Sequence, residues 1–233
     1  MIEYEGKAKQ LVPTENANEV VQRFKDSATA FNGQKKAEIE GKGELNCAMS
    51  ANLFQKLEEA GVRTHFVGLE NARDMRVKRL NIIPLEVVVR NVVAGSLHKR
   101  LGLEEGTPLS STIVETYYKR DDLGDPIVCD CHVEALQLCS KEVLAELKSR
   151  ALQVNAVLRP IFEEVGLRLV DFKLEFGHSA ENELLLGDEI SPDTCRIWDA
   201  ETNRKLDKDV FRRDLGDVME GYREVAKRLK ITN

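Results

Sequence analysis

The run Leu167-Arg168-Leu169-Val170-Asp171-Phe172-Lys173-Leu174-Glu175-Phe176-Gly177 alternates apolar and charged side chains from Val170 onward. Side chains of a β-strand point to opposite faces in turn, so Val170, Phe172, Leu174 and Phe176 form one face. Asp171, Lys173 and Glu175 form the other, about 6.6–7 Å apart along the strand. Gly177 to Asn182 offers turn residues, and Glu183 to Leu186 an apolar return strand. An antiparallel return brings Gly187-Asp188-Glu189 back toward the charged face, with Asp188 beside Glu175. Two carboxylates and a lysine converging there suit a Mg²⁺–phosphate site. Mg²⁺ takes one or two protein carboxylates and fills its other positions with water and phosphate oxygens. Spacing alone also fits a solvated strand face.

A second constellation lies upstream. Leu85 to Val93 is rich in β-branched residues and reads as a buried strand carrying Arg90. Ala94-Gly95-Ser96 then opens a short basic helix, Leu97-His98-Lys99-Arg100-Leu101, stopped by Gly102. Free N–H groups and a hydroxyl at such a start can meet an anion, and an arginine beside them can add a two-pronged grip. An ordinary strand–helix corner with Ser96 as N-cap fits as well. Two weaker features precede it. In Gly6-Lys7-Ala8-Lys9, both lysines share a strand face, for which a solvated strand is the simpler reading. Glu40-Gly41-Lys42-Gly43-Glu44 reads as a mobile phosphate-covering loop or as a helix entry. Neither has P-loop spacing, and no G-x-G-x-x-G occurs.

The 233 residues carry 34 Lys and Arg against 40 Asp and Glu, a net charge of −6. With no basic surplus, bulk electrostatic binding to nucleic acid or to an anionic membrane is not expected. A 42 % hydrophobic share excludes general disorder. No run approaches the ~18 apolar residues of a membrane span, and the acidic start is unlike a signal peptide. Five scattered cysteines suit free thiols in a cytoplasmic protein. Cys129-Asp130-Cys131-His132 lacks a second ligand pair at zinc-finger spacing, so a structural zinc site is not expected there. No Gly-x-Ser-x-Gly elbow occurs, and Trp198 reads as core or a pocket wall.

The remaining segments give an α+β pattern. Lys7–Val12 reads as a strand, and Glu19–Phe24 as helix or strand. Glu44–Ala60 reads as a helix with one apolar stripe, stopped by Gly61. His65–Leu69 and Met75–Leu80 read as strands. Ser140 caps a long helix closed by Gly166, which Pro160 should kink or restart. Val210–Leu229 reads as one helix with Phe211, Leu215, Val218, Tyr222, Val225 and Leu229 along one side.

Ile83-Pro84-Leu85-Glu86-Val87-Val88-Val89-Arg90 with Ala94-Gly95-Ser96, and Leu169 to Gly177, resemble the two signature segments of the SAICAR synthetase family. Tyr4 to Lys9 is similar to that family's opening. Leu186 to Asp193, then Arg196, Trp198 and Asp207-Lys208, are similar to its later half. The likeness spans nearly the whole chain in the expected order. It implies an ATP-dependent ligase of purine biosynthesis that joins carboxyaminoimidazole ribonucleotide to L-aspartate through an acyl phosphate, releasing ADP and phosphate. It implies a two-lobed α+β fold, distantly like protein kinases and ATP-grasp enzymes. Residues 1–84 would form an antiparallel-sheet lobe that binds ATP, and residues 85–233 a mixed lobe with the metal and substrate sites.

By resemblance, Glu175 and Asp188 should hold Mg²⁺, and Asp171 and Lys173 should face the reacting carboxylate. Lys7, Lys9 and Lys119 should reach ATP phosphates or ribose, with Ala8 beside them. Ile82 and Glu86 should sit at the adenine. Arg90, Ser96 and Arg196 should bind the ribonucleotide, chiefly its 5′-phosphate, with Lys208 and Arg212 as further anion contacts. Lys35, Lys36 and Lys42 should lie on a loop that closes over the substrates. A homodimer is the family expectation. The alternatives are a small-molecule (polyol) kinase on a similar fold and a nucleotide sensor without turnover.

Overall fold

The structure, a computed structural model, describes residues 2–30 and 33–231. Its first half builds β1 (Tyr4–Glu5), β2 (Lys9–Pro13), β3 (Glu19–Phe24), β4 (Ser27–Ala30), β5 (Lys35–Glu38), α1 (Lys42–Glu59), β6 (Phe66–Leu69) and β7 (Asp74–Lys78). Five of these strands form an antiparallel sheet in the order β1-β2-β3-β7-β6, and β4 pairs with β5 as a separate hairpin. Glu19–Phe24 is therefore a strand. Its inward residues Val20, Gln22 and Phe24 follow a period of two, fixed by pairing with β2 and β7 on either side.

The second half builds β8 (Asn81–Val92), α2 (Gly95–Leu101), β9 (Pro108–Tyr118), β10 (Ile127–Val128), α3 (Asp130–Ala135), α4 (Lys141–Glu163), β11 (Leu167–His178), β12 (Leu184–Leu186), β13 (Cys195–Asp199), α5 (Asp209–Arg212) and α6 (Val218–Arg228). The sheet order is β10-β9-β8-β11-β12, with β13 also paired to β11, and all its pairs are antiparallel. The fold is thus α+β with antiparallel sheets. β8 runs through Pro84 without a break. Glu175 faces Glu86 and Gly177 faces Ile82, so Pro84 lies in an irregular stretch of the ladder, where a missing N–H is tolerated. One apolar core takes residues from both halves, and a bridge from Thr64 to Leu186 ties them together.

Phe172, Leu174 and Phe176 of β11 are buried in that core. Each contributes roughly 1.5–3 kcal/mol by burial. A one-residue slip would drive Asp171, Lys173 and Glu175 into it instead, so the register is firmly set. Val170 departs from the expected face. A bulge between Leu169 and Asp171 gives Leu169 to the main core, and Val170 joins a satellite cluster with Val92, Ala94 and Trp198. Gly177 is required where it stands, since a Cβ there would lie 2.7 Å from the Asn81 carbonyl oxygen.

Three helical expectations change. α1 buries Cys47, Ala51 and Phe54 as well as the Leu45–Leu57 stripe, because it packs on the first sheet and on α4 and α6. α4 is capped by Ser140, whose Oγ accepts from the Val143 N–H, and it continues through Pro160 to Glu163. The C-terminal helix is broken. α5 ends at Arg212, Asp214 and Gly216 take positive φ, and Asp217 caps α6 by accepting from the Met219 N–H. Leu215, expected on the apolar side, is exposed.

Glu105, between α2 and β9, ties that segment to the C-terminal part. It accepts from Arg213 at 2.5 and 2.9 Å and pairs with Lys205 at 3.1 Å. The Arg213 hydrogen bonds, helped by Lys205, pull its carboxyl from an ordinary 4.5 down to about 2. A depressed folded pKa gives stability that is full above the ordinary value and lost as pH falls toward the folded one. Thermal melts of Glu105→Gln should therefore lie below wild type near neutral pH, and the gap should close as pH approaches about 2. A gap independent of pH would contradict this ion-pair account.

Candidate active site

β11 has β8 along one side. On the other side β13 covers residues 167–172 and β12 covers residues 176–178. Between these two partners the connection takes over: Lys173 N–H donates to Thr194 O at 3.0 Å, and Gly187 N–H to Glu175 O at 2.9 Å. The charged face of β11 meets that connection. β8 sets Glu86 opposite Glu175 and Arg90 opposite Asp171, and β9 sets Tyr117 opposite Glu86. Two charge clusters meet along this face.

The first is built of arginines. Arg90 is buried, and its guanidinium makes four hydrogen bonds. Nε donates to Glu115 Oε2 at 2.8 Å and Nη1 to Asp171 Oδ2 at 2.8 Å. Nη2 donates to Ser96 Oγ at 2.8 Å and to Tyr117 OH at 3.0 Å. Arg196 of β13 reaches the same carboxylate from the other side, Nη1 to Asp171 at 3.0 and 3.1 Å, while its Nε donates to Asp209 at 2.9 Å. Arg212 donates to Asp209 at 2.7 Å. Burial works against the charge of Arg90 and Arg196, but Asp171 and the neighbouring carboxylates outweigh it and hold both above the ordinary arginine range. Ser96 is therefore not a helix cap: Ala94 takes that position and the hydroxyl turns to Arg90. Gly95 has positive φ, and a Cβ there would lie 2.5 Å from the Arg196 guanidinium. Glycine is what lets α2 come this close.

A cavity of about 320 Å³ opens here, with Arg90, Ser96, Asp171, Lys173, Arg196 and Arg212 among its walls. Three guanidiniums around one hollow make a receptor for a multiply charged anion such as a phosphate monoester.

The second cluster interleaves lysines and carboxylates. Lys173 Nζ lies 2.6 Å from Glu175, 3.0 Å from Glu86 and 3.3 Å from Asp188. Lys119 Nζ lies 2.7 Å from Glu175. Lys9 pairs with Asp188, and with Glu189 at 3.1 Å. Burial alone would lower Lys9 and Lys173, but the carboxylates reverse that and hold both ammoniums above their ordinary range. Burial likewise pushes Asp188 up, and Lys9 and Lys173 more than cancel it, leaving the carboxyl well below the usual range. Glu86 goes the other way, raised mainly by burial. Asp188 sits in the left-handed region at φ 62, and Gln22 Nε2 donates to its carbonyl at 3.0 Å. Glu175 and Asp188 thus present hard oxygen donors of the kind Mg²⁺ takes, among ammoniums suited to phosphate oxygens.

The structure therefore brings together Asp171, Lys173, Glu175, Asp188, Lys9, Lys119, Glu86, Arg90, Ser96, Arg196 and Arg212. Lys208 joins less directly, 3.7 Å from Asp193, which also lines the cavity. Lys7 stands apart, paired with Asp121 at 2.7 Å on the surface. Ala8 accepts the Lys25 N–H through its carbonyl, and Ile82 is exposed opposite Gly177. The expected closing loop differs. Lys35 and Lys36 belong to β5, and Lys42 is the first residue of α1, 1 % exposed and 2.7 Å from Asp193. Gly41 and Gly43 serve a helix entry, with the Gly43 N–H donating to Asp26.

Glu115, Tyr117, Asp209, Asp193 and Glu189 were not picked out as site residues by sequence reasoning. The alternation of Glu115 and Tyr117 in Pro108–Tyr118 is the one local signal that could have found the first two.

The family model described as SAICAR synthetase matches residues 2–229. The phosphoribosylaminoimidazole-succinocarboxamide synthase of Finegoldia magna is 53 % identical over 227 residues, 97 % of this chain and 98 % of the relative. A crystal structure of the synthase from Ehrlichia chaffeensis superposes with a TM-score of 0.97 at 48 % identity, covering 100 % of both chains. A SAICAR synthetase solved in complex with ADP gives a TM-score of 0.94 at 50 % identity, covering 97 % of this chain and 96 % of that one. With the family model and these relatives matching over nearly its full length, the chain belongs to the SAICAR synthetase family.

Proposed function

We propose that the chain joins carboxyaminoimidazole ribonucleotide to L-aspartate at the expense of ATP, as an enzyme of purine biosynthesis. The observation that carries this reading is the adjacency of the two clusters on one strand. Asp171 belongs to the arginine pocket, Glu175 to the lysine–carboxylate cluster, and Lys173 stands between them. A phosphorylated carboxylic acid in the pocket would present its carboxylate to the phosphate end of ATP at Lys173.

The reaction is then two displacements. A carboxylate oxygen attacks the γ-phosphorus and the bond to ADP breaks, giving an acyl phosphate. The aspartate amine attacks the acyl carbon, loses a proton, and phosphate leaves with the bonding electrons. Such transfers are helped chiefly by positioning and charge neutralisation. Arg90, Ser96 and Arg196, with Arg212 and Lys208, hold the ribonucleotide through its 5′-phosphate. Asp171 keeps Arg90 and Arg196 aimed and borders the reacting carboxylate. Lys9, Lys119 and Lys173 exchange their carboxylate partners for phosphate oxygens as ATP enters. Lys7 reaches the ribose or the outer phosphates, Ala8 lines the same edge, and Ile82 with Glu86 borders the adenine side. Glu175 and Asp188 are the residues that would hold Mg²⁺, once their lysines turn to the phosphates. When bound, that ion supplies neutralisation of the transferring phosphate. On this reading residues 1–84 are the ATP-binding lobe, bringing Lys7 and Lys9 to the nucleotide, and residues 85–233 carry the metal and substrate sites together with Lys119 and Lys173.

Among the described residues no helix is long and apolar enough to cross a membrane. A ligase drawing on ATP and aspartate is placed in the cytoplasm on this reading, with small molecules rather than nucleic acid as its partners, and we propose a homodimer by analogy with the family. A polyol kinase has no use for a three-arginine pocket, and a sensor none for Lys173 between two sites.

ADP release should require ATP, carboxyaminoimidazole ribonucleotide and aspartate together for full turnover. Release indifferent to the ribonucleotide would overturn the reading. Arg90→Lys keeps the charge beside Asp171 but loses the fork. It should raise the KM for the ribonucleotide about tenfold or more, the scale of one charge-assisted hydrogen bond, with little change in the KM for ATP. An ATP-selective defect would move Arg90 to the nucleotide.

A further inference from the structure

Cys129-Asp130-Cys131-His132 takes no part in the ligase site, and none of the four lines its cavity. Cys129 precedes α3 directly. Its Sγ lies 3.0 Å from Cys131 Sγ and 3.4 Å from His132 Nδ1, and the three donor atoms all fall within 4.8 Å of one another. All three residues are exposed. The arrangement is local and held at both ends. On one side Val128 of β10 pairs with Thr116 of β9. On the other, Val133 is buried against the core. In between, the His132 N–H donates to the Cys129 carbonyl at 2.9 Å, and the Cys129 N–H to His132 Nδ1 at 3.4 Å, folding the ring back over the first cysteine.

We infer that Cys129, Cys131 and His132 form a surface site for a single thiophilic divalent cation of the Zn²⁺ class. Tetrahedral zinc with bonds of about 2.3 Å to sulfur and 2.0–2.1 Å to nitrogen puts a sulfur and a nitrogen ligand about 3.6 Å apart, and two sulfurs about 3.8 Å apart. The Cys129 Sγ–His132 Nδ1 pair already stands near that spacing at 3.4 Å, and Nδ1 would exchange its long 3.4 Å bond from the Cys129 N–H for the metal; the second sulfur–nitrogen pair lies within 4.8 Å. The two sulfurs need to open by under about 1 Å, which a χ1 adjustment of exposed side chains allows. Two thiolates cancel the charge of a divalent ion, and a neutral imidazole adds none. Asp130 does not compete, since its carboxylate is held by Lys148 at 2.5 Å. This is a three-ligand site open to solvent, unlike the closed four-ligand centre that the sequence argues against. Its soft donors also separate it from the all-oxygen donors offered by Glu175 and Asp188.

The test uses the reduced full-length protein in excess Mg²⁺, titrated with Co²⁺ as the probe and then with Zn²⁺. One equivalent of Co²⁺ should give thiolate-to-cobalt charge-transfer absorption, which Zn²⁺ abolishes. Cys129→Ser/Cys131→Ser should lack the band. His132→Ala should weaken binding at least ~10-fold, the lower end of what loss of even an outer-shell partner costs. No band with stoichiometric Co²⁺, or a band that survives in the double variant, overturns the site. In the unmodified chain, Zn²⁺ should protect Cys129 and Cys131 together from alkylation, read by peptide mass spectrometry, so the test does not depend on the variants folding. Equal labelling with and without Zn²⁺ would also overturn it.

Discussion

Asp188→Asn should lower ADP release about 10²–10³-fold or more, the scale on which one preorganised electrostatic partner of a reacting group acts, while leaving the fold in place. The backbone permits the change, because asparagine is among the few residues that readily adopt the left-handed conformation Asp188 occupies. The charges permit it too. The cluster sets Lys9, Lys119 and Lys173 against Glu86, Glu175, Asp188 and Glu189. Removing one carboxylate leaves three of each sign. The melting temperature should fall at neutral pH, because a carboxyl that Lys9 and Lys173 hold well below its usual range contributes stability there, but the fold should persist at assay temperature and the loss should appear in kcat. Wild-type turnover in this variant would contradict the role given to Asp188. A variant that unfolds would contradict the charge argument.

Lys42→Met should destabilise the protein by about 3–5 kcal/mol, the cost of removing one partner of a buried ion pair. For a chain of this length that lowers the melting temperature by roughly 6–20 °C. Lys42 Nζ lies 2.7 Å from Asp193 Oδ2, both side chains are almost fully buried, and the other oxygen accepts from Tyr222 OH at 2.6 Å. The pair joins the start of α1, the connection before β13, and α6. Losing the lysine leaves the Asp193 carboxylate with Tyr222 and the more distant Lys208. A lysine on a loop that closes over substrate would behave otherwise: its loss would raise KM and leave the melting temperature unchanged.

That contrast shows where the sequence was legible. The strand β11 and its return could be read from alternation, because one face needed a core and the other could not enter it. Asp171, Lys173 and Glu175 were placed by that pattern, and Asp188 by the length of the turn. The break before α6 was hidden, because Phe211 and Leu215 keep helical spacing while Asp214 and Gly216 end the helix locally. The shift of Val170 was equally hidden, since a bulge depends on the partner strand β13 and not on β11 alone. Lys42 looked like a loop lysine between two glycines. Its burial depends on Asp193, 151 residues away. The arginine pocket was half visible: Arg90 and Ser96 stood out, but the carboxylates that hold the arginines come from β9, β11 and the start of α5.

A crystal structure of the protein with ADP and Mg²⁺ tests the account most directly. It should show oxygens of Glu175 and Asp188, or water held by them, at about 2.0–2.1 Å from the ion, with Lys9, Lys119 and Lys173 turned to the phosphates and the arginine pocket left open for the second substrate. Phosphates and ion bound elsewhere, with both carboxylates still locked to their lysines, would contradict it.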